Sequence, residues 1–279
     1  MKILITGSSG FIGNTLVEEL VPNNELILID KAKSEKKENF HEINLLNPDL
    51  IETAIDNLKL KTVDVLIHCA SILATKENHK DIHLLYNNLK ITESVIIIAK
   101  VLKPKKIINF STIGVYPNMD GIYTEKSEIK PSQNFEAIYG LSKFCSEELF
   151  AFMLNETETQ IINLRLAQTI GEGMRNDRIY SIMLSELIKS NKITVWGNGE
   201  RISSFISIEY LITTIKKIIE KDYIEGTYNI GEKTISYLQL AKDIIDKYGK
   251  FDSEIVLLDK GQKSKIYLDT TKINQIFNK

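Results

Sequence analysis

A glycine-rich segment near the start of the chain, Thr6-Gly7-Ser8-Ser9-Gly10-Phe11-Ile12-Gly13, limits the possible folds more than any other part of the sequence. It follows the apolar run Ile3-Leu4-Ile5, which reads as a strand, and it leads into residues 14–20, which read as a helix. Glycines spaced by three residues between a strand and a helix let the backbone approach a bound pyrophosphate closely. The helix N-terminus then offers free N–H groups to the same phosphates. The segment therefore predicts a dinucleotide site.

An acidic residue lies at the distance that such a site requires. The next apolar run, residues 25–29, ends at Asp30, roughly 20 residues beyond the glycines. A carboxylate at this place can accept hydrogen bonds from an adenosine ribose. Asp30 therefore strengthens the prediction that the glycine loop binds a dinucleotide.

Strand-like and helix-like segments alternate through the first two-thirds of the chain. The strand-like segments are 2–6, 25–30, 63–69, 105–111 and 160–166, and the helical patterns lie near 11–21, 47–58, 83–102 and 136–155. This alternation predicts right-handed βαβ crossovers and hence an α/β fold, a Rossmann-like doubly wound parallel sheet. Ligands bind beyond the carboxyl ends of such strands, where the glycine loop, Asp30, Ala70 and Thr112 fall.

After Gly171 the pattern changes to shorter segments. Helical patterns at 177–190, 209–221 and 236–248 alternate with short strands, and a Lys-rich tail follows the last helix. We predict that residues 1–170 form the dinucleotide-binding domain, with parts of 205–231 returning to it. Residues 171–279 would form mainly a small substrate-binding lobe.

Composition and charge exclude several kinds of partner. The formal net charge is −2, and the lysine clusters Lys31 to Lys37 and Lys103 to Lys106 read as solvated loops, so we expect no nucleic-acid partner. The most apolar helix candidate, residues 94–102, is too short to cross a membrane. Cys69 and Cys145 form no disulfide framework, and the four histidines form no ligand pattern, so no metal is predicted. No signal-peptide pattern opens the chain, and we expect a cytoplasmic location.

The segment Tyr139-Gly140-Leu141-Ser142-Lys143 carries the strongest sign of catalysis. Positions i and i+4 put Tyr139 and Lys143 on one face of a predicted helix. The pKa of an unperturbed phenol is about 10. A neighbouring ammonium lowers this pKa toward neutral pH. Tyr139 can therefore act as an acid or base, close to Thr112 at the end of a predicted strand.

Together these elements resemble the extended short-chain dehydrogenases/reductases, the NAD-dependent epimerase/dehydratase family of nucleotide-sugar enzymes. The matching segments run almost from end to end of the chain. They are Thr6 to Gly13, Asp30, Ile67 to Ser71, Asn88, Phe110 to Thr112, Val115-Tyr116, Tyr139 to Lys143, Leu164 to Leu166, Gly197 to Gly199, and Tyr228 to Gly231.

The resemblance implies a role for each matching residue. Tyr139 would exchange the proton of a sugar hydroxyl or carbonyl while a hydride moves to or from the nicotinamide. Lys143 would bind the nicotinamide ribose and tune Tyr139, and Thr112 would hold the reacting oxygen. The implied cofactor-binding residues are Gly7, Gly10, Phe11, Ile12, Gly13, Asp30, Ala70, Asn88, Tyr139 and Lys143.

The implied cofactor is NAD. The carboxylate of Asp30 would repel the 2′-phosphate of NADP. Lys31 and Lys33 argue the other way, since a flexible lysine could compensate for that repulsion.

Departures from the family pattern narrow the expected chemistry. Ile113 and Gly114 follow Thr112, where dehydratases of the family carry Asp-Glu and decarboxylating members need the Glu. The cysteine of the type that epimerises at C3 and C5 would also fall at Gly114. Redox chemistry at a single carbon remains, either oxidation and re-reduction at C4 or a net reduction or oxidation.

The substrate segment also departs from the family pattern. Arg201-Ile202-Ser203-Ser204-Phe205 carries serines where the family often has an Arg-Asp pair, whose Arg grips the diphosphate. Guanidinium groups suit phosphate, although ordinary surface arginines are an open alternative. The candidate substrate residues are Gln168, Arg175, Arg178 and Arg201.

We interpret the chain as an NAD-dependent nucleotide-sugar 4-epimerase or 4-ketoreductase. The resemblance further suggests a place in polysaccharide biosynthesis and a homodimer formed through the apolar faces of residues 91–102 and 139–154. One alternative is an NAD(P)H-dependent carbonyl reductase of a non-nucleotide substrate. Another is a non-catalytic dinucleotide-binding sensor or scaffold.

Overall fold

The computed structural model describes residues 1–32 and 38–278. The chain divides into two compact units. The first unit comprises Met1–Pro117, Glu128–Arg165 and Leu211–Tyr228. The second comprises Asn118–Ser127, Leu166–Tyr210 and the chain from Asn229 onward.

The strands are β1 (Lys2–Thr6), β2 (Glu25–Asp30), β3 (Phe40–Glu42), β4 (Val65–His68), β5 (Lys106–Thr112), β6 (Gly121–Tyr123), β7 (Gln160–Leu166), β8 (Gln168–Ile170), β9 (Lys192–Trp196), β10 (Ile202–Ser207), β11 (Gly226–Ile230), β12 (Lys233–Ser236), β13 (Glu254–Leu258) and β14 (Ile266–Leu268). The helices are α1 (Phe11–Leu20), α2 (Ile51–Asn57), α3 (His83–Leu102), α4 (Ala137–Met153), α5 (Ile179–Ser190), α6 (Ile208–Glu220), α7 (Tyr237–Tyr248) and α8 (Thr271–Phe277).

A seven-stranded sheet in the order β11-β7-β5-β4-β1-β2-β3 forms the centre of the first unit. The pairs β1–β2, β1–β4, β2–β3 and β4–β5 are parallel. Apolar runs such as Ile3-Leu4-Ile5 are completely buried, as expected for strands covered on both faces. The structure confirms the predicted Rossmann-like doubly wound fold.

The order in which the strands are added to the sheet reverses at β1. It builds β2 and β3 on one side and then crosses over to place β4 on the other side. Thr6 pairs with His68 in register, so the carboxyl ends of β1 and β4 lie side by side. Open α/β sheets bind ligands at such a switch point.

The buried side chain of Lys106 attaches the end of α6 to the sheet of the first unit. Lys106 on β5 is buried, and its Nζ donates hydrogen bonds to the carbonyl oxygens of Ile218 (3.3 Å), Ile219 (3.0 Å) and Lys221. These carbonyls belong to the C-terminal end of α6, where a cation also interacts favourably with the helix dipole. One charged side chain thus attaches residues 218–221 to β5.

The second unit contains smaller sheets. Its three-stranded sheet has the order β12-β10-β8, and the pairs β13–β9 and β14–β6 are parallel. Its hydrophobic core lies between α5, α7 and β9, around the fully buried Phe205 of β10. The Lys-rich tail, to which the sequence assigned no elements, forms β13, β14 and α8. Each of these two strands pairs with a strand distant in sequence, which a local pattern does not reveal.

No helix among the described residues is long and apolar enough to cross a membrane.

Candidate active site

Two glycines of the glycine-rich loop are required by close backbone contacts. Gly7 has φ +69°, and a Cβ there would lie 2.6 Å from the backbone nitrogen of Ala70. A Cβ on Gly13 would overlap the carbonyl oxygen of Gly7. The loop therefore packs against the start of α1 and against the end of β4 in a way that excludes larger residues. Phe11 and Ile12 form the first turn of α1.

Asp30 is fixed to the same loop by backbone hydrogen bonds. Its Oδ2 accepts from the N–H of Ser9 at 2.9 Å, and its Oδ1 accepts from the N–H of Ala32 at 3.2 Å. The carboxylate thus lies beside the glycine loop at the end of β2. Lys31 is described and exposed, whereas Lys33 and the rest of the cluster up to Lys37 lie outside the described residues.

A cleft of about 330 Å³ opens at this edge of the sheet. Its lining combines the glycine loop, the acidic residue, and an apolar patch. The lining residues are Gly7, Ser9, Gly10, Asp30, Lys31, Ala32, Ile43, Asn44, Leu45, Leu46, Cys69, Ala70, Ser71, Ile72 and Ile91. This set fits a dinucleotide, with a close backbone approach for pyrophosphate, a carboxylate for a ribose, and apolar side chains for a planar ring.

Sequence reasoning missed one wall of this cleft. Residues 43–46 follow β3, a three-residue strand whose pattern is too short to recognise. Asn44 stabilises this segment, because its Oδ1 accepts a hydrogen bond from the N–H of Leu46 at 3.1 Å. The apolar pair Leu45-Leu46 was the available signal, but only the pairing of β3 with β2 brings it to the cleft.

Tyr139 and Lys143 lie on consecutive turns of α4, and both are buried. Burial disfavours the charged ammonium and lowers the pKa of Lys143 to about 8, although Cys69 and Glu147 act to raise it. Tyr139 packs against Ala74 and Leu84. The predicted catalytic pair is therefore enclosed by protein, where electrostatic effects are stronger than in water.

A contact between two glycines brings the start of α4 against the segment that follows β5. A Cβ on Gly140 would overlap the carbonyl oxygen of Gly114 in the turn Ile113–Val115. Thr112 directly precedes this turn, and its Oγ1 accepts a hydrogen bond from the N–H of Gly114 at 3.0 Å. The hydroxyl thereby uses an acceptor position and keeps its hydrogen for donation to another group.

Asn88 on α3 connects three elements. Its Oδ1 accepts from the N–H of Ile72 at 2.8 Å, and its Nδ2 donates to the carbonyl oxygen of Ile72 at 3.0 Å. The same Nδ2 lies 3.2 Å from the Oγ of Ser142, which donates to the carbonyl oxygen of Tyr139 at 2.7 Å. Asn88 thus holds the segment after β4 and the turn of α4 that carries Tyr139.

His68 and Cys69, at the end of β4, are enclosed. The Nδ1 of His68 lies 2.8 Å from the Oγ1 of Thr6, and burial, together with the charge of Lys143, lowers the pKa of His68 well below its usual value. Burial raises the pKa of the Cys69 thiol. A neutral imidazole and a protonated thiol are typical of side chains that pack inside a protein.

In the second unit, two of the four predicted substrate residues, Gln168 and Arg201, contact the same tyrosine, Tyr237. The Nε2 of Gln168 donates to the Oγ of Ser203 at 2.8 Å and to the hydroxyl of Tyr237 at 3.4 Å. The guanidinium of Arg201 lies 5.0 Å from the centre of the Tyr237 ring. Its Nε is buried and has no hydrogen-bond partner among the described residues.

The other two arginines have different surroundings. Arg175 forms an ion pair with Asp177, two residues away. Arg178 is the residue that precedes α5. Among the described residues, no group of three His, Cys, Asp or Glu side chains could hold a metal ion.

A glycine loop and an acidic residue at the switch point of a parallel sheet, with tyrosine and lysine one helical turn apart, define a dinucleotide-dependent protein of the short-chain dehydrogenase/reductase class. The sequence model of one family matches residues 3–231, so the chain belongs to the NAD dependent epimerase/dehydratase family. This match confirms the family resemblance of the motifs and confirms NAD as the cofactor.

The named relatives of this chain include both a dehydratase and an epimerase. The chain is 27% identical over 270 residues to the dTDP-D-glucose 4,6-dehydratase of Dictyostelium discoideum, covering 88% of this chain and 62% of that protein. It thus spans less than two-thirds of that relative. It is 26% identical over 303 residues to an uncharacterized UDP-glucose epimerase of Bacillus subtilis (strain 168), YtcB, covering 100% of this chain and 92% of that protein.

A solved structure shows the same fold. It is the UDP-N-acetylglucosamine 4-epimerase of Methanobrevibacter ruminantium M1 in complex with UDP-N-acetylmuramic acid, with a TM-score of 0.83 and 21% identity. The match covers 99% of this chain and 91% of that chain. This likeness shows that the two chains share a Rossmann fold, and the family is the one that the sequence model gives.

Proposed function

We propose that the protein is a nucleotide-sugar 4-epimerase that removes a hydride from a hexose C4 and returns it to the opposite face. The observation that carries this proposal is the arrangement around Gly140, where the turn with Tyr139 and Lys143 packs directly behind Thr112. A net 4-ketoreductase, which only returns the hydride, is the second candidate because it needs the same three side chains.

The cleft at the end of β1 is the proposed cofactor site. NAD, when bound, accepts a hydride from the substrate carbon and can give it back. Gly7, Gly10 and the first turn of α1 would hold its pyrophosphate, and Asp30 would bind the adenosine ribose. Leu45 and Leu46 would lie along the adenine.

Tyr139 is the proposed acid and base. Its phenolate takes the proton of the sugar O4 as C4 loses its hydride, and its phenol returns that proton when the ketone is reduced. The ammonium of Lys143 on the next turn favours the phenolate. Thr112 donates its hydroxyl hydrogen to O4 and so fixes the reacting oxygen beside Tyr139.

The residues that follow Thr112 support redox chemistry without loss of water. A dehydration needs an acid and a base for the eliminated groups, and the turn after Thr112 offers only Ile113 and Gly114.

Arg201 and Gln168 are the proposed contacts for the diphosphate of the substrate. Alternation along a strand puts Arg201 on the same face as Ser203, the position where the family often carries its arginine. The buried, unpaired Nε of Arg201 and the stacking of its guanidinium on Tyr237 support a pre-oriented anion-binding group.

We also propose a homodimer formed through α3 and α4. An apolar stripe on α4, formed by Leu141, Cys145 and Phe152, is exposed or half-buried, and Tyr86 of α3 is exposed as well. These positions are spaced as one helix face. The free thiols of Cys69 and Cys145 support a reducing, cytoplasmic location.

The first test is to denature the purified protein and identify the nucleotide that it releases. Stoichiometric NAD or NADH supports a cofactor that is recycled within one active site, and the protein should then convert UDP-glucose to UDP-galactose in an NMR assay. An empty protein that consumes NADH only with a 4-keto nucleotide sugar supports the ketoreductase. If the protein reduces only simple ketones, the result favours a carbonyl reductase. If it turns over none of these substrates, the result favours a non-catalytic sensor.

Substitution of the proposed acid and base gives the matching mutational test. Tyr139→Phe should lower the rate of conversion at least about a hundredfold, because general acid–base catalysis contributes that much, while NAD remains bound. Tyr223→Phe, which removes the hydroxyl of an exposed tyrosine in the first unit, is the control and should keep full activity. A Tyr139→Phe protein with unchanged turnover contradicts the proposed mechanism.

A further inference from the structure

A buried ion pair lies behind the proposed catalytic residues in the first unit. Glu147 of α4 and Arg165 of β7 are only 2% and 5% exposed in their side chains. The Nε of Arg165 donates to Oε1 of Glu147 at 3.0 Å, and its Nη2 donates to Oε2 at 2.6 Å. This bidentate geometry is the strongest form of a carboxylate–guanidinium contact.

Two further side chains complete a network around this pair. The Nη1 of Arg165 donates to the hydroxyl of Tyr116 at 2.9 Å, and the guanidinium lies 5.2 Å from the centre of the same ring. The hydroxyl of Ser111 donates to Oε1 of Glu147. We call Ser111, Tyr116, Glu147 and Arg165 the buried network.

Each outer member of the buried network is close in sequence to a proposed catalytic residue. Ser111 directly precedes Thr112, and Tyr116 ends the turn that follows Thr112. Glu147 lies one helical turn beyond Lys143 on α4, at a spacing that places the two side chains on one face. Arg165 contacts Tyr116 and Glu147, and Glu147 also accepts from Ser111, so the ion pair connects both sides of Thr112 to α4.

Stability alone is a poor reason for this arrangement. Removing two charges from water costs free energy, and a buried ion pair is often no more stable than a well-packed apolar pair. The ion pair does, however, fix the orientation of α4 relative to β7. A bidentate contact holds α4 in rotation and translation against β7, and the Ser111 contact transmits that position to Thr112.

The pair also affects the charge of the site. The titratable groups that act on or with the Lys143 ammonium include Tyr139 and Glu147 of its own helix, and His68 and Cys69 at the end of β4. His68 is neutral, and burial keeps the Cys69 thiol protonated. Glu147 therefore supplies the negative charge that opposes the desolvation of Lys143.

We propose that Glu147 and Arg165 are positioning residues of the reaction. The pair holds Thr112 against the turn of α4 that carries Tyr139 and Lys143, and it keeps a compensating negative charge one turn from the Lys143 ammonium. This inference rests on the proposed function, because it assigns the pair a task in the reaction of those three residues.

The first experiment measures Lys143 directly and needs no substrate. The protein is labelled with 13C-lysine, the Cε signal of Lys143 is assigned by its loss in Lys143→Arg, and the signal is followed across pH. In the double variant E147Q/R165M, which removes both charges together and keeps an acceptor for Ser111, Lys143 should titrate at a lower pH than in the parent protein, because Glu147, on the next turn of the same helix, is the member of the pair that raises the Lys143 pKa.

A control pair distinguishes a local effect from a general one. Glu19 and Lys216 form an ion pair at 2.7 Å in the same unit, away from α4. E19Q/K216M should leave the titration of Lys143 unchanged. An unchanged titration in E147Q/R165M would overturn the electrostatic half of the proposal, whether or not the enzyme is an epimerase.

The second experiment tests the positioning of Thr112 and keeps the ion pair intact. Ser111→Ala removes one hydrogen bond and should lower kcat of the Tyr139-dependent reaction about three- to tenfold, with the Lys143 titration unchanged. Thr159→Val is the matched control, because Thr159 is buried and its Oγ1 donates to the carbonyl oxygen of Pro104 at 2.7 Å, and neither residue lines the cleft. Equal kcat effects in Ser111→Ala and Thr159→Val would overturn the positioning role.

Discussion

At Lys143 the proposed reaction and the stability of the fold favour different charge states of the side chain. Its ammonium is buried almost completely, and the burial lowers its pKa from an ordinary 10.5 to about 8. A buried cation is costly unless it has a compensating charge. The proposed mechanism nevertheless needs that cation, since it stabilises the Tyr139 phenolate.

The pH dependence of Lys143 should therefore differ between activity and stability. Turnover should fall as pH rises above about 8, because the ammonium that supports the Tyr139 phenolate loses its proton. Since the folded pKa lies below the unfolded pKa, the unfolded chain binds more protons between these values. The contribution of Lys143 to the free energy of unfolding should then rise with pH in the same window.

The measurement compares the parent protein with Lys143→Met by urea unfolding at pH 7 and at pH 10. Lys143→Met should be more stable than the parent by about 1–3 kcal/mol at pH 7, and this advantage should shrink at pH 10. Exposed Lys90 on the neighbouring helix provides the control variant Lys90→Met. An advantage of Lys143→Met that does not depend on pH would contradict the predicted pKa.

At the scale of elements, the contact of α4 with the turn after β5 sets the geometry of the site. Gly140→Ala places a methyl group into the carbonyl oxygen of Gly114, and backbone on both sides cannot yield without moving α4. The variant should lose about 1–3 kcal/mol of stability from overpacking, although alanine is the better helix former. Its turnover should fall further than its stability implies.

Thermal unfolding and the epimerase assay check this expectation. Gly121→Ala is the control and should leave turnover near that of the parent protein, because a Cβ on Gly121 would lie at an ordinary contact distance of 3.5 Å from Tyr123. Full turnover in Gly140→Ala would show that the spacing of Thr112 and Tyr139 is less restricted than the contact indicates.

Elements of the main sheet could be predicted because their signal is local. The apolar runs of β1, β2, β4, β5 and β7 are completely buried, and continuous runs of this kind are typical of parallel strands. In contrast, β3, β6 and β14 have only three residues each, and the five residues of β13 are exposed or half-buried. No local pattern distinguishes them from loops.

The same division applies to the site. Fixed spacing predicted Tyr139, Lys143 and the glycine loop, because a helix or a strand–helix turn brings those residues together locally. The wall of the cleft at Asn44 and the pair of Glu147 with Arg165 were not predicted. Their members are separated by many residues, and only the finished sheet brings them into contact.

At the scale of the molecule, the homodimer is the proposal that mass measurement tests most directly. Leu141→Glu/Phe152→Glu places two charges on the exposed stripe of α4, and apposed like charges should prevent the proposed contact. Light scattering should then give the mass of one chain in place of two. Phe251→Glu, a charge at a fully exposed aromatic residue of the second unit, should not change the mass. A parent protein that is already monomeric contradicts the dimer.

The attachment of α6 to Lys106 has a consequence for the order in which the protein can fold during synthesis. The strand β11 that covers β7, and the carbonyls that accept hydrogen bonds from Lys106, are translated only after most of the second unit. Ribosome-bound chains that expose residues 1–170 alone should remain sensitive to protease, because β7 is an open edge and Lys106 is a buried charge without acceptors. Resistance should appear once residues 211–228 have emerged; earlier resistance would contradict this order. The dinucleotide-binding unit, although it begins at the first residue, is thus among the last parts of the nascent chain to be completed.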